Sequence, residues 1–441
     1  MLRWIDTIFP RRALFQRDRR LLHLFLGRIL ASTGFSIVIP FLSLYLHGTR
    51  GISMTAVGLI FFFAALTGAL GQIVGGDWSD RYGRKIVLVG SQLIRAAAFF
   101  GLGLSVLVGA PYIVFAILTA VSAFAGRSFE PPSGAMIADI AEGERRVEYF
   151  GILRVGGNLG WALGPAIGGF LAALSYASLF MISAAVLLIA GAFMALKVEE
   201  TSPLHRRSVD EAFETAAPQA IAPVAPTGRF HLIDLGHAFS NRIFVRYCLV
   251  CLILYTVMSQ LMSTISVFVV EWAGLSKVEL GTLYSLNGLM VVFLQFPIVR
   301  VLAPFRMTSA LIAGSVLYAA GYGMMGFGGG LWGMMAAMFV VTMGEIVTTP
   351  ASMNLVSNFS GELDRGRYMG IFGLFNSFGW SIGPLVGGVL LDLATGRPLL
   401  LWGAIAALAL VAALGFGDLR RRINLITDRT TETSAVRPVT A

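Results

Sequence analysis

YFGILRVGGNLGWALGPAIGGFL at residues 149–171 and YMGIFGLFNSFGWSIGPLVGGVL at residues 368–390 are one pattern written twice. Tyr149, Gly151, Ile152, Gly160, Trp161, Gly164, Pro165, Gly168, Gly169 and Leu171 recur as Tyr368, Gly370, Ile371, Gly379, Trp380, Gly383, Pro384, Gly387, Gly388 and Leu390, an offset of 219 residues. Upstream, Pro131 matches Pro350 and Arg146 matches Arg365. Each copy is apolar and long enough to cross a hydrocarbon core of about 30 Å as a helix. Two units repeated in the same direction imply a pseudo-twofold axis along the membrane normal, with a solute site between the halves.

Composition says what the solvent is. Of 441 residues 56% are apolar and 13% charged, too little charge to cover a soluble domain of this size. Apolar blocks of about twenty residues fall near 21–46, 56–76, 86–108, 111–138, 149–173 and 176–196, and again near 246–270, 277–299, 308–328, 331–357, 368–392 and 397–417. The expected architecture is all-α and integral to a membrane, with twelve transmembrane helices in two pseudo-symmetric six-helix bundles, residues 21–196 and 246–417. Residues 1–20 are then a cytoplasmic N-terminal segment, 197–245 a cytoplasmic linker and 418–441 a cytoplasmic tail.

Loop arginines and lysines orient the chain. One side collects Arg11, Arg12, Arg17, Arg19 and Arg20, then Arg81, Arg84 and Lys85, Arg145 and Arg146, Arg300 and Arg306, Arg365 and Arg367, and Arg420 to Arg422. The other has Arg50, Lys277 and Arg397. Both termini are expected in the cytoplasm of a multi-pass inner (plasma) membrane protein. The net charge of +9 is thus topology information, with no basic patch interleaved with aromatics for nucleic acid. The arginine-rich N-terminus lacks a small-residue cleavage site and does not read as a removed signal peptide.

The loop after the second span reads Gly76-Asp77-Trp78-Ser79-Asp80-Arg81-Tyr82-Gly83-Arg84-Lys85. It resembles the signature of the major facilitator superfamily, and the span count, linker and repeat extend that resemblance over the whole chain. A glycine at Gly76 suits close helix approach, and Gly83 a tight turn. The resemblance implies a gating latch of Gly76, Asp80, Arg81, Gly83, Arg84 and Lys85. In it Asp80 caps the start of the eleventh helix near Tyr368, Arg84 pairs with Asp139, and the outward-facing state is favoured. The fifth span, with Gly160, Gly164, Pro165, Gly168 and Gly169, resembles the antiporter motif of the drug:proton antiporter branch, and through Glu130-Pro131-Pro132 and the stretch from Gly344-Glu345 to Pro350 the chain resembles proteobacterial multidrug-resistance exporters of that branch. The small residues of the fifth span flatten one helix face for tight packing of helices five and eight, and Pro165 bends the helix. Symmetric packing would also select the echo at Gly379–Gly388.

Charge inside a span is costly and points to function. Glu130 in helix four and Glu345 in helix ten are the two acids well inside a span, on symmetry-related helices. Glu345 lies thirteen residues before Asn358, roughly 20 Å along a helix and so near mid-membrane. A carboxyl in that setting can take up and release a proton as water comes and goes. Both are proton-coupling candidates. Arg127, one helical turn before Glu130, shares its face and could lock it in an ion pair. Arg28, Arg95 and Arg154 sit where they could snorkel to the cytoplasmic face, Arg28 also reaching the cavity and Arg154 the cytoplasmic charge network. The sequence departs from the branch in having no acid in helix one and Ala120 where helix four usually carries arginine, so the Glu130 and Glu345 assignment rests on local chemistry.

The substrate cavity is expected to include Arg28, Arg127, Gln260, Met258, Met262, Asn287, Gln295 and Asn354, polar contacts within apolar lining. Met258, Met262, Met335, Met338 and Met343 could hold a soft metal such as Cu(I), or serve as adaptable lining. Cys248 and Cys251 lack a redox context, the five histidines form no ligand pair within a span, and no phosphate-cradling loop is present for ATP. The reading is a secondary active transporter rather than an enzyme, without catalytic residues, cofactor or bound metal. It would export lipophilic or cationic small molecules in exchange for protons, as in multidrug efflux by alternating access. Its partners are a small-molecule substrate, protons and membrane lipids, with no nucleic acid, and it would work as a monomer. The alternatives are a proton-coupled importer, or a lipid or copper transporter on the same fold. A receptor or membrane enzyme would need an extramembrane domain that the sequence does not offer.

Overall fold

The computed structural model describes residues 18–141, 145–202, 241–360 and 365–429, and every regular element in them is helical. The first half runs α1 Arg19–Thr49, α2 Met54–Tyr82, α3 Arg84–Leu107, α4 Tyr112–Ile140, α5 Arg145–Leu174 and α6 Tyr176–Lys197. The second runs α7 Arg242–Trp272, α8 Lys277–Leu302, α9 Met307–Met325, α10 Gly330–Phe359, α11 Arg365–Leu393 and α12 Pro398–Arg422. Eleven of these are long and apolar enough to cross a membrane. The other, α9, is 19 residues long and packs between α10 and α12. Most of the expected linker (203–240), the first 17 residues and the tail from 430 lie outside the described residues.

Local chemistry sets the helix boundaries. Ser53 Oγ accepts from Ala56 N, Ser175 Oγ from Ala177 N and Asn241 Oδ1 from Phe244 N, and Ser276 with Glu279 forms a full capping box at α8. Between α2 and α3 the chain turns on one residue, Gly83, at φ 99°, a conformation that strains any side chain. α4 breaks after Ser128 and restarts at Glu130, where Pro131 and Pro132 withhold two backbone donors.

The two halves pack alike. α1 lies on α5, α2 on α4 and α3 on α6; correspondingly α7 lies on α11, α8 on α10 and α9 on α12. Between the halves α5 meets α8 and α2 meets α11. A Cβ on Gly160 would sit 2.5 Å from Ser32 Cβ, and one on Gly379 2.6 Å from Tyr255 Cβ. The motif triplets Gly160, Gly164, Gly168 and Gly379, Gly383, Gly387 therefore face α1 and α7 within their own bundles. The expected packing of helix five on helix eight is made by other small residues of the same stretch: a Cβ on Gly169 would lie 2.5 Å from Lys277 O, one on Gly281 2.5 Å from Pro165 O and one on Gly288 2.6 Å from Ala162 Cα, and in the repeat one on Gly388 would meet Met54 O of α2. Gly76 also departs from expectation. It meets only Pro131, at 3.8 Å, whereas the close approach of α2 to α4 falls at Gly71 and Gly75.

Two acids missed in the sequence complete the symmetry. Glu200, beyond α6, accepts from the first backbone N–H groups of α3, Arg84 N at 3.1 Å and Lys85 N at 2.9 Å. Asp428, beyond α12 and fully buried, does the same for α9 through Thr308 N at 2.8 Å. Outside, Ile73, Leu174, Leu196, Leu393 and Leu414 are exposed, as a lipid-facing surface requires.

The bundles touch at the face opposite the arginine-rich loops. Asp392 of α11 accepts from Met54 N at 3.0 Å, Thr55 N at 2.8 Å and Thr55 Oγ1 at 2.6 Å. Lys277 Nζ donates to Ala172 O at 3.1 Å and Ser43 Oγ to Ser263 O at 3.4 Å. Among the described residues no side-chain hydrogen bond or ion pair joins the bundles on the arginine-rich side, and we read the cleft as open there.

Candidate functional site

A cavity of about 350 Å³ lies in the middle of the molecule. α1 lends Arg28, Ser32 and Phe35, α3 Gln92, Arg95 and Phe99, and α4 Arg127, Phe129 and Glu130. Phe61 of α2 and Trp161 of α5 add to the first half's share, and the second half adds Met262, Trp380 and Pro384. Most of the wall therefore comes from the first bundle. Trp161 and Trp380 are the repeat-related pair.

Glu130 sits at the break in α4, where its carboxylate accepts from Arg28 Nη1 of α1 at 2.8 Å. Its partner is Arg28, a helix away, and not Arg127, the neighbour expected from spacing. Arg127 and Arg28 both line the cavity as expected. Among the described residues Arg127 has no ion pair. Arg95 corrects the snorkelling expectation. It is 8% exposed, lies 3.8 Å over the Phe35 ring, and its Nε has no hydrogen-bond partner. The sequence held the signal. Arg95 stands eleven residues past the α3 start at Arg84, roughly 16 Å up the helix, too deep to reach the interface.

Glu345 forms a second centre outside that cavity. Asn287 Nδ2 of α8 donates to its carboxylate at 2.9 Å and to Thr342 Oγ1 at 3.0 Å. Arg154 of α5 is exposed and makes no ion pair with Glu345 among the described residues. Asn287 is thus a partner of the acid and not itself part of the cavity wall.

Other expected cavity residues fall elsewhere. Gln260 is 1% exposed and ties α7 to α11, donating to Thr256 O at 2.8 Å and Gly383 O at 2.9 Å and accepting from Thr264 Oγ1 at 2.7 Å. Such a short, saturated network leaves no polar atom for cargo. Met258 and Met338 are buried in the second half's core. Gln295 is half-buried and Asn354 exposed, and neither lines the cavity. Met262 does. Cys248 and Cys251 are free and fully buried.

At the arginine-rich loop, Arg84 pairs with Asp139 and donates to Ala135 O at 2.8 Å, joining α3 to the end of α4. Arg81 pairs with Asp77 at 2.8 Å, and the Lys85 amide is held by Glu200. Asp80 is exposed and in this open arrangement does not cap α11.

The chain matches the family described as Major Facilitator Superfamily over residues 24–308 and 273–439. It is 26% identical over 404 residues to the multidrug resistance protein MdtH of Aeromonas hydrophila, covering 90% of this chain and 95% of that one. To the quinolone resistance protein NorA of Staphylococcus aureus it is 24% identical over 384 residues, 87% and 92% of the two chains. Among solved structures it superposes on a bacterial homolog of the human lysosomal transporter Spinster, in an inward-facing, unoccupied conformation. There the TM-score is 0.73 at 16% identity, over 94% of this chain and 98% of that one. The nucleoside transporter NupG superposes with a TM-score of 0.72 at 15% identity, over 91% and 99%.

Proposed function

The chain belongs to the Major Facilitator Superfamily, and from that membership we propose that it exports lipophilic small molecules across the inner membrane in exchange for protons. The arginine-rich face is then cytoplasmic, both termini lie there, and the structure is the state that collects cargo from the cell. The names of MdtH and NorA, which speak of multidrug and quinolone resistance, support efflux as the direction.

One observation carries the proton reading. Both intramembrane acids sit where a change of protonation can be felt between helices, Glu130 through Arg28 of α1 and Glu345 through Asn287 of α8. Protonation of Glu130 cancels its attraction for Arg28 and frees that guanidinium for the cavity. Protonation of Glu345 weakens the bond it accepts from Asn287 of α8. A bond whose strength depends on protonation is how a proton biases two conformations. Closure at the cytoplasmic side would then bring Asp80 to the start of α11.

The expected cationic cargo does not suit this site, where Arg28, Arg95 and Arg127 face one acid, Glu130. Copper is poorly served too, because Met258 and Met338 are buried away from the cavity and Met262 alone lines it.

The test is substrate-induced proton release by purified protein, with Glu130→Gln and Glu345→Gln beside wild type. At least one variant should lose the release while still binding substrate. If both release protons like wild type, the coupling assignment is wrong. Everted vesicles check direction, since an exporter accumulates substrate inside them and an importer does not.

A further inference from the structure

Three guanidinium groups and one carboxylate line a chamber in the middle of a lipid-embedded fold. Arg28 spends its charge on Glu130. Arg127 has no ion pair among the described residues. Arg95 is more than nine-tenths buried, with an Nε that meets no acceptor and a charge covered on one side by Phe35 alone. Arg127 is exposed, but the Arg95 charge is held away from water, which is expensive unless something negative arrives to meet it. The rest of the wall is aromatic: Phe35, Phe61, Phe99, Phe129, Trp161 and Trp380. Flat apolar surface beside planar forked donors matches a ring bearing a carboxylate, which can accept two parallel N–H bonds from one guanidinium while the ring stacks.

We propose that the cavity is a binding site for aromatic carboxylates, with Arg95 and Arg127 taking the anionic group and the aromatic wall taking the ring. This deepens the export reading above and rests on it for direction, though not for binding. A neutral or cationic ring gains nothing from Arg95 and leaves its Nε unmet.

The experiment is equilibrium dialysis of the full chain in lipid nanodiscs against three probes of one shape: 2-naphthoate, 2-naphthamide and 2-naphthylmethylammonium. Naphthoate should bind at least about tenfold more tightly than the amide, the scale of one hydrogen bond to a charged group, and the ammonium more weakly than either. Arg127→Gln and Arg95→Gln should each lose about tenfold for naphthoate and leave naphthamide unchanged, which also shows that the chamber is intact. Should Arg95→Gln fail to fold, Arg127→Gln, altered at an exposed side chain, decides alone. Equal or tighter binding of the ammonium overturns the proposal, as does unchanged naphthoate affinity in a folded Arg127→Gln. No proton gradient is present, so carboxylate preference without proton release sinks antiport alone. Proton release without charge preference sinks the cargo assignment alone.

Discussion

Asn287 holds two groups at once, the Glu345 carboxylate at 2.9 Å and the Thr342 hydroxyl at 3.0 Å, and this makes it the residue on which the second acidic centre turns. Removing a donor from a half-buried carboxylate costs about 1 kcal/mol, so Asn287→Ala should lower the thermal midpoint of the detergent-solubilised protein and slow transport in everted vesicles. Glu345→Gln keeps the shape and removes the titrating group. It should leave the midpoint within about 1 kcal/mol of wild type, since an amide oxygen still accepts from Asn287, while transport driven by a proton gradient falls at least tenfold. Equal losses of stability and transport in both variants would make Glu345 a structural acid only.

Elements are held by contacts that tolerate no added atom and by caps borrowed from distant segments. A Cβ on Gly160 would crowd Ser32 Cβ at 2.5 Å and Thr33 N at 2.7 Å, so Gly160→Val must part α5 from α1. A cost of about 1–3 kcal/mol or more follows from overpacking, against a near-neutral Gly90→Ala, where nothing lies within 4 Å; thermal denaturation of the pair separates the two. Glu200 gives a pH-dependent counterpart. Partial burial works against its charge, but hydrogen bonds from the Ser202, Lys85, Arg84 and Thr201 amides outweigh it and hold the carboxyl below the usual glutamate range. A depressed folded value means the cap is fully effective at neutral pH and is lost as pH falls through that value. Glu200→Gln should therefore cost about 1 kcal/mol at pH 7, and the gap from wild type should close in the acid range on a thermal melt.

At the scale of the whole molecule, the open cleft on one side is balanced by contacts on the other, and Asp392 makes three of them with α2. Hydrogen bonds to a charged group are worth about 1.5–3 kcal/mol each, enough to move a two-state population tenfold or more. Asp392→Ala should shift molecules toward opening at the face where Val108 and Phe327 lie exposed. Spin labels placed there, one on each bundle, should report a longer separation. An unchanged distance distribution would mean that the α5–α8 seam and the Ser43–Ser263 bond keep that face shut without Asp392.

The repeated pattern from Tyr149 and Tyr368, the apolar blocks and the one-sided arginines determined the membrane, the helices and the twofold plan, because lipid leaves a chain no other way to satisfy its backbone. The sequence could also mark Glu130, Glu345, Arg28 and Arg127 as costly residues in oil. It could not say who meets whom. Spacing along a helix favours Arg127 for Glu130, yet Arg28 arrives from α1, and Gln260, polar and mid-span, proves to be mortar between α7 and α11. Glu200 and Asp428 read as ordinary surface acids until α3 and α9 present bare amides to them. Pairing across helices depends on rotation and approach, which no single helix encodes, so the charge of the chamber became legible only once seven helices had closed around it.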